Sequence, residues 1–76
     1  MKKTIHSKES AKLSAALRAA REAAGLTQQQ LAQELDKPQS FVAKYELGER
    51  RLDVIEFLKI TRLLKANPTK ILKSLL

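Results

Sequence analysis

The sequence predicts an all-α fold in which five short helices form one compact domain. Its two glycines and two prolines interrupt the helical pattern at Gly25, Pro38, Gly48 and Pro68. The five segments between them carry apolar residues at helical spacing, and none alternates apolar and polar residues for long enough to predict a strand. A chain of 76 residues can bury one modest hydrophobic core.

The first helix is predicted over about residues 7–24. Its segment is rich in strong helix formers, with apolar residues at spacings of three and four. Gly25 then supplies the residue type best suited to the left-handed position that ends a helix. Residues 1–6 precede the pattern and are expected to form a flexible arm, which leaves residues 7–76 as the domain.

The second and third helices are short and close together. Thr27 is a suitable N-cap, and Gln30 three residues later completes a capping box, so helix 2 is predicted over about residues 28–35. Pro38 removes a backbone donor and biases the preceding residue away from helical geometry. Helix 3 is therefore expected to begin at Pro38 or the next residue and to end before Gly48.

The fourth and fifth helices have similar start signals. Asp53 with Glu56 repeats the capping box and predicts helix 4 over about residues 54–65. Asn67 as N-cap and Pro68 as first helical residue open helix 5. The last helix carries an apolar surplus that is expected partly to close the core and partly to contact a second copy of the chain: Ile71, Leu72, Leu75 and Leu76.

The charge balance favours a polyanionic partner. Lys and Arg outnumber Asp and Glu by 15 to 8, which gives a net charge of +7. Such an excess points first to nucleic acid and second to an anionic membrane surface. A protein-interaction module with an incidentally basic surface is the remaining alternative. No segment is long and apolar enough to be a signal peptide or a membrane span, so a cytoplasmic protein is expected.

Catalysis, cofactors and metal binding are not expected. The chain has no cysteine, and its single histidine, His6, lies in the arm, so neither a thiolate site nor a histidine cluster can form. No glycine-rich phosphate loop is present. Asp53 and Glu56 are better explained as a capping box than as a catalytic pair of carboxylates.

Helices 2 and 3 together have the outline of a helix-turn-helix over residues 28–47, in which the second helix enters the DNA major groove. Winding helix 3 at about 100° per residue places Val42 on the inner side, with Ser40 and Lys44 opposite. Gln39 falls on the inner side by angle, but at the helix N-terminus it can project past the end. Glutamine pairs with adenine and lysine with guanine. The candidate base contacts are Gln39, Ser40, Ala43 and Lys44, unless this is a plain solvated face.

Cations flank helix 3 on both sides. Lys37 precedes it, and Arg50 and Arg51 follow it, so all three are candidate phosphate contacts on either side of the groove.

Phe41 lies on the flank of helix 3 and is predicted to be core, a contact to a thymine methyl group, or both. Glu46 lies on the inner side, where a carboxylate is costly unless it is paired.

Residues 25–50, GLTQQQLAQELDKPQSFVAKYELGER, resemble the helix-turn-helix family of phage repressors and Cro proteins, also called XRE-like. The resemblance extends from about residue 17 to the C-terminus. Two positions depart from the family pattern: Asp36 replaces the usual glycine of the turn, and Pro38 replaces a Ser or Thr. Asp tolerates left-handed geometry, whereas the side-chain cap of helix 3 is lost. The matching residues are Gly25, Leu26, Thr27, Gln28, Leu31, Ala32, Leu35, Ser40, Val42, Glu46, Gly48 and Arg50.

The resemblance implies a repressor-like five-helix domain that binds double-stranded DNA, usually as a dimeric transcriptional regulator. It also implies a bacterial or phage-encoded protein that is associated with the nucleoid. It implies that Gln28 bonds a backbone phosphate and supports the recognition helix. It also implies that Glu46 pairs with Arg21, the residue in the matching position of helix 1. We expect a repressor whose dimer forms through the C-terminal region and occupies a palindromic operator. The alternative is the antitoxin of a toxin–antitoxin pair, which binds its own operator and a toxin protein.

Overall fold

Five α-helices form within residues 7–76, the part of the chain that the computed structural model describes. They are α1 Lys8–Ala23, α2 Gln28–Glu34, α3 Gln39–Glu46, α4 Val54–Leu64 and α5 Pro68–Ser74. The all-α fold is confirmed, and the described residues contain no strand. The predicted boundaries differ by one residue at the ends of α1, α2 and α4, where the outermost residues are caps. The predicted arm over residues 1–6 and His6 lie outside the described residues.

Side-chain caps begin four of the helices. The Oγ1 of Thr27 accepts from the backbone N–H of Gln30 at 3.0 Å, and the Gln30 side chain accepts from the Thr27 N–H at 2.9 Å. Asp53 and Glu56 form the same reciprocal pair at the start of α4. Both predicted capping boxes are therefore confirmed, and each satisfies two backbone donors that the first helical turn leaves free. Ser7 and Asn67 cap α1 and α5.

A residue with left-handed backbone conformation follows each of the first four helices. Gly25 and Gly48 have φ of 76° and 78°, and Asp36 and Lys65 have φ of 61° and 56°. After α2, the backbone N–H of Lys37 returns to the carbonyl of Ala32 at 2.9 Å, which closes the turn of the helix-turn-helix. Asp36 thus adopts the geometry that the family usually gives to glycine, because a short polar side chain tolerates it better than most.

The core lies where α3 packs against α1 and α2, with α4 closing the other side. Its side chains all have less than a tenth of their surface exposed: Leu17, Leu31, Ala32, Phe41, Val42, Tyr45, Phe57, Ile60 and Leu64. Three of the nine come from α3. Burial of apolar area at about 25 cal/mol per Å² therefore holds one side of α3 firmly and leaves its other side free.

Candidate nucleic-acid interface

The outward side of α3 carries three of the four candidate base contacts. Gln39, Ser40 and Lys44 are exposed, whereas Ala43 is half-buried. The opposite side is fixed by Val42, which is fully buried with the other α3 core residues. The structure therefore presents a short row of polar side chains on a helix that cannot rotate without exposing its apolar side.

The N-terminus of α3 has no side-chain cap. Pro38 is the N-cap residue and provides no side-chain hydrogen bond, as the departure from the family pattern predicted. The Oγ of Ser14 in α1 instead secures the other end of α3, where it donates to the carbonyl of Tyr45 at 2.8 Å. The recognition helix is thus held by tertiary contacts and not by a local cap.

A chain of polar contacts reaches Gln39 from the interior. Nε2 of Gln28 donates to Oε1 of Glu46 at 2.9 Å, and Oε1 of Gln28 accepts from Nε2 of Gln39 at 3.4 Å. Because Glu46 is an acceptor, it determines which way the Gln28 amide faces, and Gln28 in turn orients Gln39. One N–H and the carbonyl oxygen of Gln39 remain available on the exposed side.

Arg21 and Glu46 join α1 to α3 through a bidentate ion pair. Nε and Nη2 of Arg21 donate to the two Glu46 carboxylate oxygens at 2.8 and 3.1 Å. The two side chains are only 10% and 3% exposed. Nη1 of Arg21 also donates to the carbonyl of Leu26 at 2.8 Å, and the Glu46 hydrogen bond is the largest cause of the raised pKa of Arg21. The pair is satisfied on both sides, as a buried charge requires.

The three candidate phosphate cations of the loops differ in their surroundings. Lys37 and Arg51 are exposed and form no ion pair within residues 7–76. Arg50 instead donates from Nη1 and Nη2 to the two carboxylate oxygens of Glu56, both at 3.0 Å. This contact raises the pKa of Arg50 and is the first cause of the lowered pKa of Glu56. Both groups are therefore charged at neutral pH.

The C-terminal apolar residues divide between the core and the surface. Ile71 packs against the core, and Leu75 is half-buried. Leu72 is 48% exposed and Leu76 is fully exposed. The sequence pattern did not reveal two further exposed apolar residues, Val54 and Ile55 at the start of α4, which are 71% and 62% exposed. An apolar surface at α4 and α5 is thus available for contact.

Metal-ligand clusters and membrane-spanning helices were both sought in the part of the chain that the structure describes, residues 7–76. No group of three or more acidic or histidine side chains is placed to hold a metal ion there. None of its helices is long and apolar enough to cross a membrane.

Sequence patterns missed two contacts near the interface. The Arg50–Glu56 pair joins a loop to a helix six residues away, a spacing with no helical signature. Glu56 also had a local explanation as the partner of Asp53 in the capping box. The second missed contact is the placement of two cations against the ring of Phe41, which depends on how both connections of α3 fold.

Comparisons with known proteins agree with this geometry. Residues 17–71 match the family described as helix-turn-helix. An XRE-family like protein from Pseudomonas syringae pv. tomato str. DC3000 is similar with a TM-score of 0.84 and 49% identity, over 95% of this chain and 88% of that chain. The restriction-modification controller protein C.AhdI from Aeromonas hydrophila is similar with a TM-score of 0.77 and 29% identity, over 86% and 98%. No curated protein sequence gave a significant match.

The chain belongs to the helix-turn-helix family and, within it, to the XRE type of DNA-binding regulators. The family match covers α2, α3 and α4 entirely, together with the end of α1 and the beginning of α5. Proteins of this family bind double-stranded DNA.

Proposed function

We propose that the protein is a dimeric transcriptional repressor that occupies a palindromic operator. The exposed polar row on α3, fixed from behind by a buried core and an ion pair, is the observation that carries the proposal. The likeness to C.AhdI, which is described as a restriction-modification controller protein, supports a role in transcription control. A two-fold dimer places two recognition helices about one DNA turn apart, in successive major grooves.

Gln39 is the proposed reader of adenine. An amide that accepts from adenine N6 and donates to N7 needs one carbonyl oxygen and one N–H on the same side. The contact with Gln28 uses one N–H of the Gln39 amide. The carbonyl oxygen and the second N–H of Gln39 remain free for the base. Ser40 and Lys44 extend the reading surface, with Lys44 suited to guanine O6 and N7, and Ala43 contributes only apolar contact.

Gln28, Lys37 and Arg51 are the proposed phosphate contacts. Gln28 lies at the first position of α2 and retains one amide N–H beyond its bond to Glu46. Lys37 and Arg51 are exposed on the two sides of α3. Contacts of this kind set the register of the recognition helix on the duplex without reading its sequence.

Affinity for DNA is expected to fall steeply as salt rises. Each neutralised phosphate releases condensed counterions, so the log–log slope is about −0.9 per phosphate contacted. Fluorescence anisotropy with a labelled operator duplex at several salt concentrations measures this slope. The variants Lys37→Gln and Arg51→Gln should each make the slope shallower by about one such unit. A nearly flat profile for the unaltered protein would contradict phosphate-anchored binding.

Selection of bound fragments from random genomic DNA tests the function itself. A repressor of this kind retains a few fragments that share an inverted half-site, and the spacing of the two half-sites reports the dimer geometry. Equal retention of all fragments would contradict sequence reading. Pelleting with anionic liposomes in place of DNA would favour the membrane-surface alternative.

The proposed dimer contact includes Leu72 and Leu76 on α5. Apolar side chains that are this exposed in a small monomer are suited to burial against a second copy. Helices α4 and α5 also expose positive charges, namely Lys59, Arg62 and Lys70. Two copies that meet through these helices would therefore bring like charges together. Screening by salt should therefore favour the dimer while it weakens DNA binding.

The double variant Leu72→Gln with Leu76→Gln should weaken self-association by at least about tenfold, since each buried leucine contributes roughly 1.5 kcal/mol or more. Sedimentation velocity over a range of concentrations measures the dimer dissociation constant. Leu47→Gln is the matched control, because Leu47 is 69% exposed but lies at the end of α3. An unchanged dissociation constant in the double variant would move the proposed contact elsewhere, with Val54 and Ile55 as the next candidates.

A further inference from the structure

The ring of Phe41 lies beside cations from both connections of the recognition helix. Nζ of Lys37, from the turn before α3, is 5.5 Å from the ring centroid. Cζ of Arg50, from the loop after α3, is 4.7 Å from it. Both distances fall within the range of about 6 Å at which a cation is attracted to an aromatic ring. Phe41 also contacts Tyr45 edge-to-face at 5.5 Å, so the ring is anchored in the core.

Protein contacts already engage most of the Arg50 guanidinium. Arg50 donates two hydrogen bonds to Glu56, one from each Nη atom. Its Nη1 also donates to the carbonyl oxygen of Arg51 at 2.6 Å. Three of the five N–H donors of a guanidinium are thus used within the fold. The guanidinium is held in place by a carboxylate, a backbone carbonyl and an aromatic ring, which is an orienting arrangement of the kind that arginine favours.

A phosphate at this guanidinium would lie close to a second negative charge. The Glu56 carboxylate is only 3.0 Å from Arg50, so the net charge of the pair is zero. Arg51 differs, because its side chain is exposed and forms no ion pair within residues 7–76. The hydrogen bond from Arg50 instead fixes the backbone from which the Arg51 side chain projects.

We propose that Arg50 is a positioning residue, held by Glu56 and Phe41, that presents Arg51 to a DNA phosphate and neutralises no phosphate itself. This assignment rests on the proposed DNA binding, and it replaces the phosphate contact that the sequence pattern predicted for Arg50. Phe41 has a corresponding part, since its ring fixes the position of Arg50 beside the recognition helix. The helix and its phosphate-contacting loop are thereby joined into one rigid unit.

A double-mutant cycle tests the assignment. The variants Arg50→Gln, Arg51→Gln and the double variant are titrated onto a fluorescein-labelled random-sequence duplex at several salt concentrations. Arg51→Gln should make the log–log slope shallower by about 0.9. Arg50→Gln should weaken binding severalfold in the unaltered protein but less than about twofold in the Arg51→Gln background, because a positioning residue has no effect once its target is absent. The slope of the double variant should equal that of Arg51→Gln.

Stability does not complicate this cycle, because a partly exposed ion pair contributes little to the free energy of unfolding and Arg50→Gln should remain folded. Thermal unfolding of each variant verifies this before binding is measured. A second variant, Phe41→Leu, preserves most of the core volume and removes the ring, and it should reproduce the loss seen with Arg50→Gln without adding to it.

Two results would overturn the assignment, and they are distinguishable. If the double variant loses a second unit of about 0.9 in slope, Arg50 is itself a phosphate contact and only the positioning role fails. If the unaltered protein shows no salt-dependent binding to the duplex, the proposed DNA binding fails as well. An equal loss from Arg50→Gln in both backgrounds would show that Arg50 acts independently of Arg51, which also contradicts the assignment.

Discussion

Glu46→Gln is expected to lower the free energy of unfolding by about 3 kcal/mol, because removing one partner of a buried ion pair leaves the other charge uncompensated. The Arg21 side chain is only 10% exposed and has no alternative carboxylate within its hydrogen bonds. For a domain of this size, such a change lowers the melting temperature by roughly 12–24 °C. Circular dichroism during thermal and urea unfolding measures both quantities.

Two matched variants control for the loss of charge alone. Glu49→Gln removes a carboxylate only three residues away on an exposed side chain, and it should change stability by less than about 0.5 kcal/mol. Arg18→Gln breaks the exposed pair with Glu22, whose side chains are 61% and 58% exposed, and should cost a similarly small amount. A melting temperature for Glu46→Gln equal to that of these controls would show that the buried pair does not hold α1 to α3.

Gln39→Ala is expected to reduce affinity for the selected operator by about 10- to 100-fold, since a bidentate contact to a base contributes roughly 1–3 kcal/mol of discrimination. Affinity for random-sequence DNA should remain within about twofold, because that affinity comes mainly from phosphate contacts. The preference for adenine at one base pair of each half-site should also relax. Anisotropy titrations with operator duplexes that carry each of the four base pairs at that position measure both effects.

Gln33→Ala provides the matched control for this experiment. Gln33 is an exposed glutamine near the end of α2 that is not among the proposed DNA contacts, and its removal should affect binding to neither the operator nor random DNA. If Gln39→Ala weakened binding to operator and random duplexes by the same factor, Gln39 would be a general contact and not a reader of sequence. Recognition would then have to be assigned to Ser40 and Lys44.

Local signals explain why the fold could be predicted so far from the sequence. The reciprocal pair of Thr27 and Gln30 lies within one helical turn, so its geometry depends little on the rest of the chain. Periodicity likewise placed Val42 inside and Ser40 and Lys44 outside, because a helix that packs on one side must follow that pattern. The predicted ends of three helices differ from the observed ends by one residue, because the capping residues share features of helix and turn.

Contacts between distant segments could be anticipated only where charge and burial coincided. Glu46 lies on the buried side of α3, where a carboxylate requires a partner, and the family resemblance indicated Arg21 in α1 as that partner. Arg50 did not require a partner, because water can solvate the guanidinium of an arginine in a loop equally well. Its contact with Glu56 depends on the path of the loop between α3 and α4, and periodicity carries no information about that path.

The environment of Tyr45 makes this side chain an internal optical probe. It is the only tyrosine in a chain without tryptophan, so the near-ultraviolet absorbance and fluorescence of the protein come almost entirely from one core position. Its hydroxyl is buried without a hydrogen-bond partner in residues 7–76, and burial is the main cause of its raised pKa. Ionisation of the Tyr45 hydroxyl is therefore coupled to exposure of its ring, so the tyrosinate band in an alkaline titration follows the departure of α3 from the core.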